Sequence, residues 1–206
     1  MPLRRSAHDS AFFSLLVTQT EHLRDANLVL AELSGIPAAE RRQAVKRMHS
    51  ISDRADESAG AMLRLLRENY LPPLDRRELY ALSDTIRDVN HRLDAVGFAM
   101  TSSAFDDLPV GVLEMLSLLS QQADQTIRMA QRLGAKVDQW DYVDRMNSLH
   151  NRAIALQQQV SDAVPAARLG LTYLAAAMSL SNAFIQASSG CKAIARVVAE
   201  IAIRES

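Results

Sequence analysis

This chain has few of the residues that build sheets, disulfides or tight loops. Of its 206 residues only 5% are aromatic, seven are glycine and six are proline. Sheets favour β-branched and aromatic residues, whereas this chain is rich in the helix formers Ala, Leu, Arg and Glu. Cys191 is the only cysteine, which excludes an intramolecular disulfide and a cysteine-rich zinc site. These scarcities predict an all-α protein and are compatible with a reducing cytoplasm.

An excess of charge of one sign is also lacking. There are 23 Lys and Arg residues against 24 Asp and Glu, so the net charge is −1. A nucleic-acid partner would usually bind a basic face, so we expect none. Residues 169–191 carry no charge and are long enough to cross a bilayer, but seven polar side chains interrupt them. We therefore expect a bundle helix there, in a cytoplasmic protein.

Apolar residues recur at steps of three and four along nearly the whole chain, which predicts six long helices. The breaks fall at Gly35 with Pro37, at Pro72–Pro73, near residue 107, at Gly134 and at Pro165, which we expect to open the sixth helix. Asp75 followed by Glu78 predicts a capping box at the start of the third helix. The cleanest seam lies in that helix, at Leu79, Leu82, Ile86, Val89, Leu93, Val96 and Met100.

The order of the helices predicts an all-α fold of two related antiparallel three-helix bundles packed together. We expect one domain over residues 1–206, with a first half of about 6–105 and a second half of about 109–206. Residues 171–191 of the sixth helix combine Leu, Ala, Ser and Gly without a charge, so nearly its whole circumference can be buried. Such a helix is central within its half or also faces a second subunit, and we expect a homodimer.

No familiar catalytic motif occurs in the sequence. The P-loop pattern, G-x-G-x-x-G, H-E-x-x-H and G-x-S-x-G are all missing, as is the Glu-x-x-His pair of di-iron bundles. We predict no catalytic residue, no residue dedicated to binding an organic cofactor, and a protein that is not an enzyme.

Acidic and imidazole side chains flank the seams of the second and third helices. His49, Asp53 and Asp56 are spaced i, i+4 and i+7, and Asp84, Asp88 and His91 repeat that spacing. Two antiparallel helices would bring such groups together as oxygen and nitrogen ligands of a cation. The interspersed arginines equally indicate a solvated face of salt bridges. The candidate metal ligands are His49, Asp53, Asp56, Asp88 and His91. The cofactor stays open between a divalent or ferric cation and none.

One stretch resembles a known family. It comprises Asp53-Arg54-Ala55-Asp56-Glu57, Leu65-Leu66 and Leu71-Pro72-Pro73-Leu74-Asp75-Arg76-Arg77-Glu78-Leu79. Together with the pair Phe12-Phe13, it is similar to the PhoU-like family of Pit accessory proteins. The resemblance implies two related three-helix bundles and a role beside low-affinity inorganic phosphate permeases.

In phosphate-regulatory relatives of that family, E-x-x-x-D motifs on the helices bind clusters of iron or another metal. The matching positions here are Ser52 with Asp56, then Arg87 with His91, with Asp88 and Asp94 nearby. In the second half they fall on His150 with Ile154, and on Ser181 with Ile185 or Gln186. Carboxylates are largely missing from these positions, so the resemblance implies at most a mixed Asp/His site in the first half.

From the resemblance we therefore predict a non-enzymatic accessory or regulatory protein of inorganic phosphate transport that contacts a Pit-type permease, either from the cytoplasm or as a peripheral protein at the inner face of the membrane. Two other functions stay open. One is a metal-binding helical bundle that stores or senses a cation, and the other is a generic helical-bundle adaptor.

Overall fold

The computed structural model describes residues 7–135, 138–166 and 170–205. Over these ranges it contains six α-helices and no β-strand, which confirms the predicted all-α class. The helices are α1 (Ala7–Gly35), α2 (Ala38–Glu68), α3 (Arg76–Met100), α4 (Val112–Leu133), α5 (Trp140–Ala166) and α6 (Leu171–Glu205).

Helix boundaries follow the expected signals with one exception. Asp75 caps α3, because its carboxylate accepts a hydrogen bond from the backbone N–H of Arg77 at 2.8 Å. Pro165, which was expected to open the sixth helix, instead lies inside α5, and α6 begins at Leu171. The chain turns at Gly170, whose φ of 87° is a conformation that glycine adopts without a steric penalty.

Helices α1, α2 and α3 pack against one another, and α4, α5 and α6 do the same. The ion pairs Arg54–Asp25 and Arg47–Glu32 join α1 to α2, and their order along the two helices shows that these run antiparallel. Every helix therefore contacts both other helices of its predicted half, and the division of the chain into two halves stays a prediction.

Two contacts join the three-helix groups, α3 against α6 and α1 against α4. The α3–α6 contact is close at Gly190, where a Cβ atom would lie 2.9 Å from Cγ2 of Val89. Beside it, the guanidinium of Arg92 donates to both the backbone and the side-chain oxygen of Gln186, each at 3.0 Å. One cluster of buried hydrophobic side chains takes residues from all six helices, so the groups share a core.

The groups also carry matching buried polar pairs. In the first, Gln19 of α1 donates to the hydroxyl of Ser83 of α3 at 2.7 Å. In the second, Gln122 of α4 donates to the hydroxyl of Ser188 of α6 at 3.1 Å. The two partners lie 64 residues apart in the chain in the first pair and 66 residues apart in the second. This similar spacing indicates that the halves repeat one structural pattern.

Helix α6 departs from the prediction that nearly its whole circumference is buried. It packs against α3, α4 and α5, and Ala177 and Phe184 are buried. One arc is nevertheless exposed, including Ala175, Asn182 and Gln186. Three neighbours do not enclose a helix completely, and small or amide side chains can face water without carrying charge. None of the described helices combines the length and the apolar character that a membrane span requires.

Candidate functional site

The predicted metal ligands lie where α2 and α3 pack together, on a surface called here the α2–α3 face. Two carboxylate–imidazole pairs cross it. Nδ1 of His49 lies 2.7 Å from Oδ2 of Asp94, and Nε2 of His91 lies 2.9 Å from Oδ1 of Asp56. His49 on α2 pairs with Asp94 on α3, and the later residue Asp56 on α2 pairs with the earlier residue His91 on α3. The two helices therefore run antiparallel. Asp94 was noted only as a neighbour of the motif, yet it is the partner of His49.

Arginines bind most of the remaining carboxylates on this face. Asp88 accepts from Nε of Arg92 at 2.7 Å, and Asp84 accepts from Arg87 at 2.8 Å. Arg87 also lies 3.9 Å from Asp56. These contacts match the interpretation of a solvated, salt-bridged face, because arginines at i+3 and i+4 reach carboxylates on their own helix.

The five predicted ligands therefore share a face but do not converge on one point. In the part of the chain that the structure describes, no three His, Cys, Asp or Glu side chains are grouped so that they could hold a metal ion. His91 with Asp56 offers two ligands, His49 gains Asp94 rather than Asp53 or Asp88, and Asp53 is exposed. Binding of a metal by His49, Asp53, Asp56, Asp88 and His91 stays a prediction.

A cluster of buried polar side chains lies between α4, α5 and α6, and the sequence analysis did not predict it. Nδ1 of His150 on α5 lies 3.0 Å from the hydroxyl of Ser188, which also accepts from Gln122. All three residues are buried, with Ser188 only 1% exposed. Burial lowers the pKa of His150, and the charge of Lys192 lowers it further, so the imidazole is neutral at pH 7. In the sequence, His150 was singled out only as a position that matches the family's metal motif, and Ser188 carried no recognisable signal.

Nearby titratable groups are held in their neutral forms. Burial raises the pKa of the Cys191 thiol to about 12 and raises the pKa of Tyr142 well above its usual range. The hydroxyl of Tyr142 lies 3.2 Å from that of Thr126, which compensates its burial. Cys191 is thus a buried small side chain with a protonated thiol, which is not a nucleophile.

His22 is the buried imidazole of the first half. Its Nε2 lies 3.1 Å from the hydroxyl of Ser58 on α2. Burial lowers the pKa of His22, and the neighbouring Arg54 lowers it further. Among the described side chains, each half therefore has an imidazole, His22 or His150, whose protonation the fold opposes.

Residues 71–79 of the stretch that resembles the family form the turn between α2 and α3 and the first turn of α3. Arg76 donates to the backbone carbonyl oxygens of Leu66, Asn69 and Tyr70, and so satisfies groups that the end of α2 leaves unpaired. With Asp75 capping α3, the two polar residues of the motif fix both sides of the turn. The motif residues thus have architectural roles.

Neither a scan against models of known protein families nor a search of curated proteins finds a match to this chain. The resemblance to PhoU-like proteins therefore depends on the quoted residues, and what it implies about function is a matter for proposal.

Proposed function

We propose that this chain is a non-enzymatic accessory or regulatory protein of inorganic phosphate transport, which acts by contact with a Pit-type permease. The observation that carries the proposal is the coincidence of the motif and the fold. The segment around Asp75 and Arg76 resembles the PhoU-like family of Pit accessory proteins, and it forms the α2–α3 turn of an arrangement of three helices and three helices. That family is expected to have the same arrangement.

A contact mechanism suits the organisation of this molecule. Helices α1, α2 and α3 are linked across their outer faces by polar contacts such as the Arg54–Asp25 ion pair and the hydrogen bond between His91 and Asp56. The polar groups of His150, Ser188 and Gln122 are buried and bond to one another. Such a molecule presents shaped surfaces to a partner, and regulation then follows from which state of the permease binds those surfaces better.

The test is co-purification and transport. The affinity-tagged chain is co-expressed with an inorganic phosphate permease of its own organism, and detergent-solubilised membranes are passed over the affinity resin. We expect the permease to be retained, and we expect deletion of the chain to change uptake of labelled phosphate. Uptake of labelled sulfate, which uses a different permease, is the control and should not change. Recovery of soluble proteins alone together with unchanged phosphate uptake would contradict the proposal.

A further inference from the structure

Helix α5 lies at the edge of the molecule. In the described part of the chain it packs against α4 and α6 and makes no contact with a helix of the first half. Its N-terminal end is anchored in the core that all six helices share, through Tyr142, Val143 and Met146. The attachments of the rest of α5 decide whether that part can open while the other helices stay folded.

Residues 149–163, called here the outer segment of α5, pack mainly on a small cluster of apolar side chains. Leu149 and Ala153 form this cluster with Leu118 of α4, and it is separate from the shared core. Beyond Ala153, Val160 is the only buried side chain among those described in the segment. A segment that buries so few apolar side chains opens at a lower free energy than the shared core does.

His150 supplies the polar attachment of the outer segment. Its Nδ1 lies 3.0 Å from the hydroxyl oxygen of Ser188 on α6, and Nε2 of Gln122 on α4 donates to the same oxygen at 3.1 Å. Because that oxygen accepts from Gln122, the Ser188 hydroxyl can donate its proton to a neutral imidazole. A protonated imidazole carries N–H on both ring nitrogens and accepts no hydrogen bond. Protonation therefore forces the hydroxyl to turn away from the ring and brings a charge into a buried site.

The surroundings of His150 oppose that charge. On α6 the charged side chain that acts on the imidazole is Lys192, and α4 presents only the amide of Gln122. Burial raises the pKa of Cys191 and Tyr142, so these neighbouring groups stay neutral. The α5 residues one turn away are uncharged, and among the described side chains no carboxylate forms an ion pair with His150. A proton on this ring is therefore better accommodated once the segment reaches water.

We infer that mild acid releases the outer segment of α5: a proton on His150 frees this segment from α4 and α6 while the other helices stay folded. Release uncovers Leu118 on α4, so the chain presents a different surface without unfolding. This regulatory device goes beyond the proposed function and does not depend on it, because opening requires no permease.

The size of the effect follows from proton binding. In the open segment the imidazole has its ordinary pKa of 6.5, whereas burial lowers its pKa in the closed segment. The closed form is therefore most stable above pH 6.5, and that stability is lost as the pH falls below this value. When the closed form binds no proton in this range, the equilibrium constant for opening rises about tenfold between pH 7.5 and 5.5.

The experiment is amide hydrogen exchange of the full chain at pH 7.5 and 5.5, corrected for the intrinsic exchange rate at each pH. Amides of the α3 seam, residues 83–97, report global opening, because that seam lies in the shared core. At pH 7.5 the outer segment should be at least tenfold less protected than the α3 seam. Its protection should fall about tenfold at pH 5.5. Low urea should reduce the protection of the α3 seam and leave that of the segment unchanged, because local opening exposes little surface.

Two variants assign the acid response to one imidazole. In His150→Asn the protection of the outer segment should change less than twofold between the two pH values. His22→Asn is the matched control, because it removes the buried imidazole of the first half and should leave the tenfold fall intact. Circular dichroism verifies that each variant is folded. If His150→Asn does not fold, the pH comparison on the unmodified chain and on His22→Asn decides the question.

Three results would overturn the inference. One is equal protection of the outer segment and the α3 seam at pH 7.5, since the segment would then open only with the whole molecule. Another is segment protection that stays the same from pH 7.5 to 5.5. The third is a tenfold fall that persists in His150→Asn or disappears in His22→Asn, because a group other than His150 would then control the segment.

Discussion

The two halves bury a similar polar pair at matching positions and differ in what surrounds it. Gln19 and Ser83 form a two-residue bridge between α1 and α3. Gln122 and Ser188 form the equivalent bridge between α4 and α6, and His150 of α5 adds a third partner. A buried polar group must be paired, so an added imidazole makes its half dependent on one hydroxyl. The repeated pattern thus tolerates different chemistry as long as each added group finds a partner.

The outer faces of the two halves also differ, in the charged side chains that they carry. On α2 and α3 carboxylates alternate with Arg and His, as in the pairs Asp56–His91 and Asp88–Arg92. In the second half the position that the family resemblance would match to Asp56 is Ile154, and exposed positions of α6 carry Asn182 and Gln186. The described ion pairs therefore lie mainly on the surface of the first half, whereas both halves bury hydrogen-bonded polar side chains, such as Gln19 in the first and Gln122 in the second. The predictions below test this contrast.

The largest expected effect comes from filling the seam where the halves meet. Gly190→Leu should reduce the free energy of unfolding by about 3 kcal/mol or more, because even a Cβ atom there would lie 2.9 Å from Val89. Urea denaturation measures the loss. Gly60→Leu on α2 is the control, since its Cβ would meet only the flexible end of Arg64 at 3.5 Å. Equal stability of the two variants would show that the α3–α6 seam adjusts easily.

Removing the hydroxyls of the two polar pairs compares the halves directly. Ser188→Ala should cost about 2–3 kcal/mol, because it leaves both Gln122 and His150 buried without a partner. Ser83→Ala should cost about 1 kcal/mol, because only Gln19 loses a partner. Chemical denaturation of both variants measures the difference. If Ser83→Ala is the more costly change, the second half does not depend on its hydroxyl as we infer.

The helices were predictable because their signal is local. The α3 seam from Leu79 to Met100 is buried as its spacing of three and four requires, and four of the five predicted breaks lie at or next to the connections that follow α1, α2, α3 and α4. Pairings between helices were not predictable in the same way. The bond from His49 to Asp94 depends on the register of α2 against α3, and the centre at His150 takes one residue from each of three helices. No local pattern encodes either arrangement.

Acid should destabilise both halves through their buried imidazoles. The pKa values of His22 and His150 are lowered in the folded state, so below pH 6.5 the unfolded chain binds more protons than the folded one. The free energy of unfolding should therefore be highest above pH 6.5 and fall as the pH drops below that value. Comparing urea denaturation at pH 7.5 and 5.5 tests this.

Replacing each buried histidine with a neutral residue measures how much of the acid destabilisation comes from each half. His22→Asn and His150→Asn should each lose part of the pH dependence, even where the replacement lowers stability at pH 7.5. We expect the effect of either replacement on the pH dependence to be smaller than the cost of Ser188→Ala. A pH dependence unchanged in both variants would show that other groups cause the acid loss.

The smallest expected effects lie on the α2–α3 face. His91 and Asp56 are 45% and 49% exposed, so water and salt screen their attraction, and a double-mutant cycle with His91→Gln and Asp56→Asn should give a coupling of about 0.2–1 kcal/mol. The pair His49–Asp94 should lie at the upper end of that range, because Asp94 is only 17% exposed although His49 is 59% exposed. Both couplings should fall in 1 M salt, where the Debye length is about 3 Å.

Repeating the double-mutant cycles with and without added Zn²⁺ tests the predicted metal site on the same face. A coupling that rises above about 2 kcal/mol only with Zn²⁺ would mean that the ion bridges the pair. The α2–α3 face would then be a binding site and not merely a solvated surface, and the contrast between the halves would extend from their structure to their chemistry.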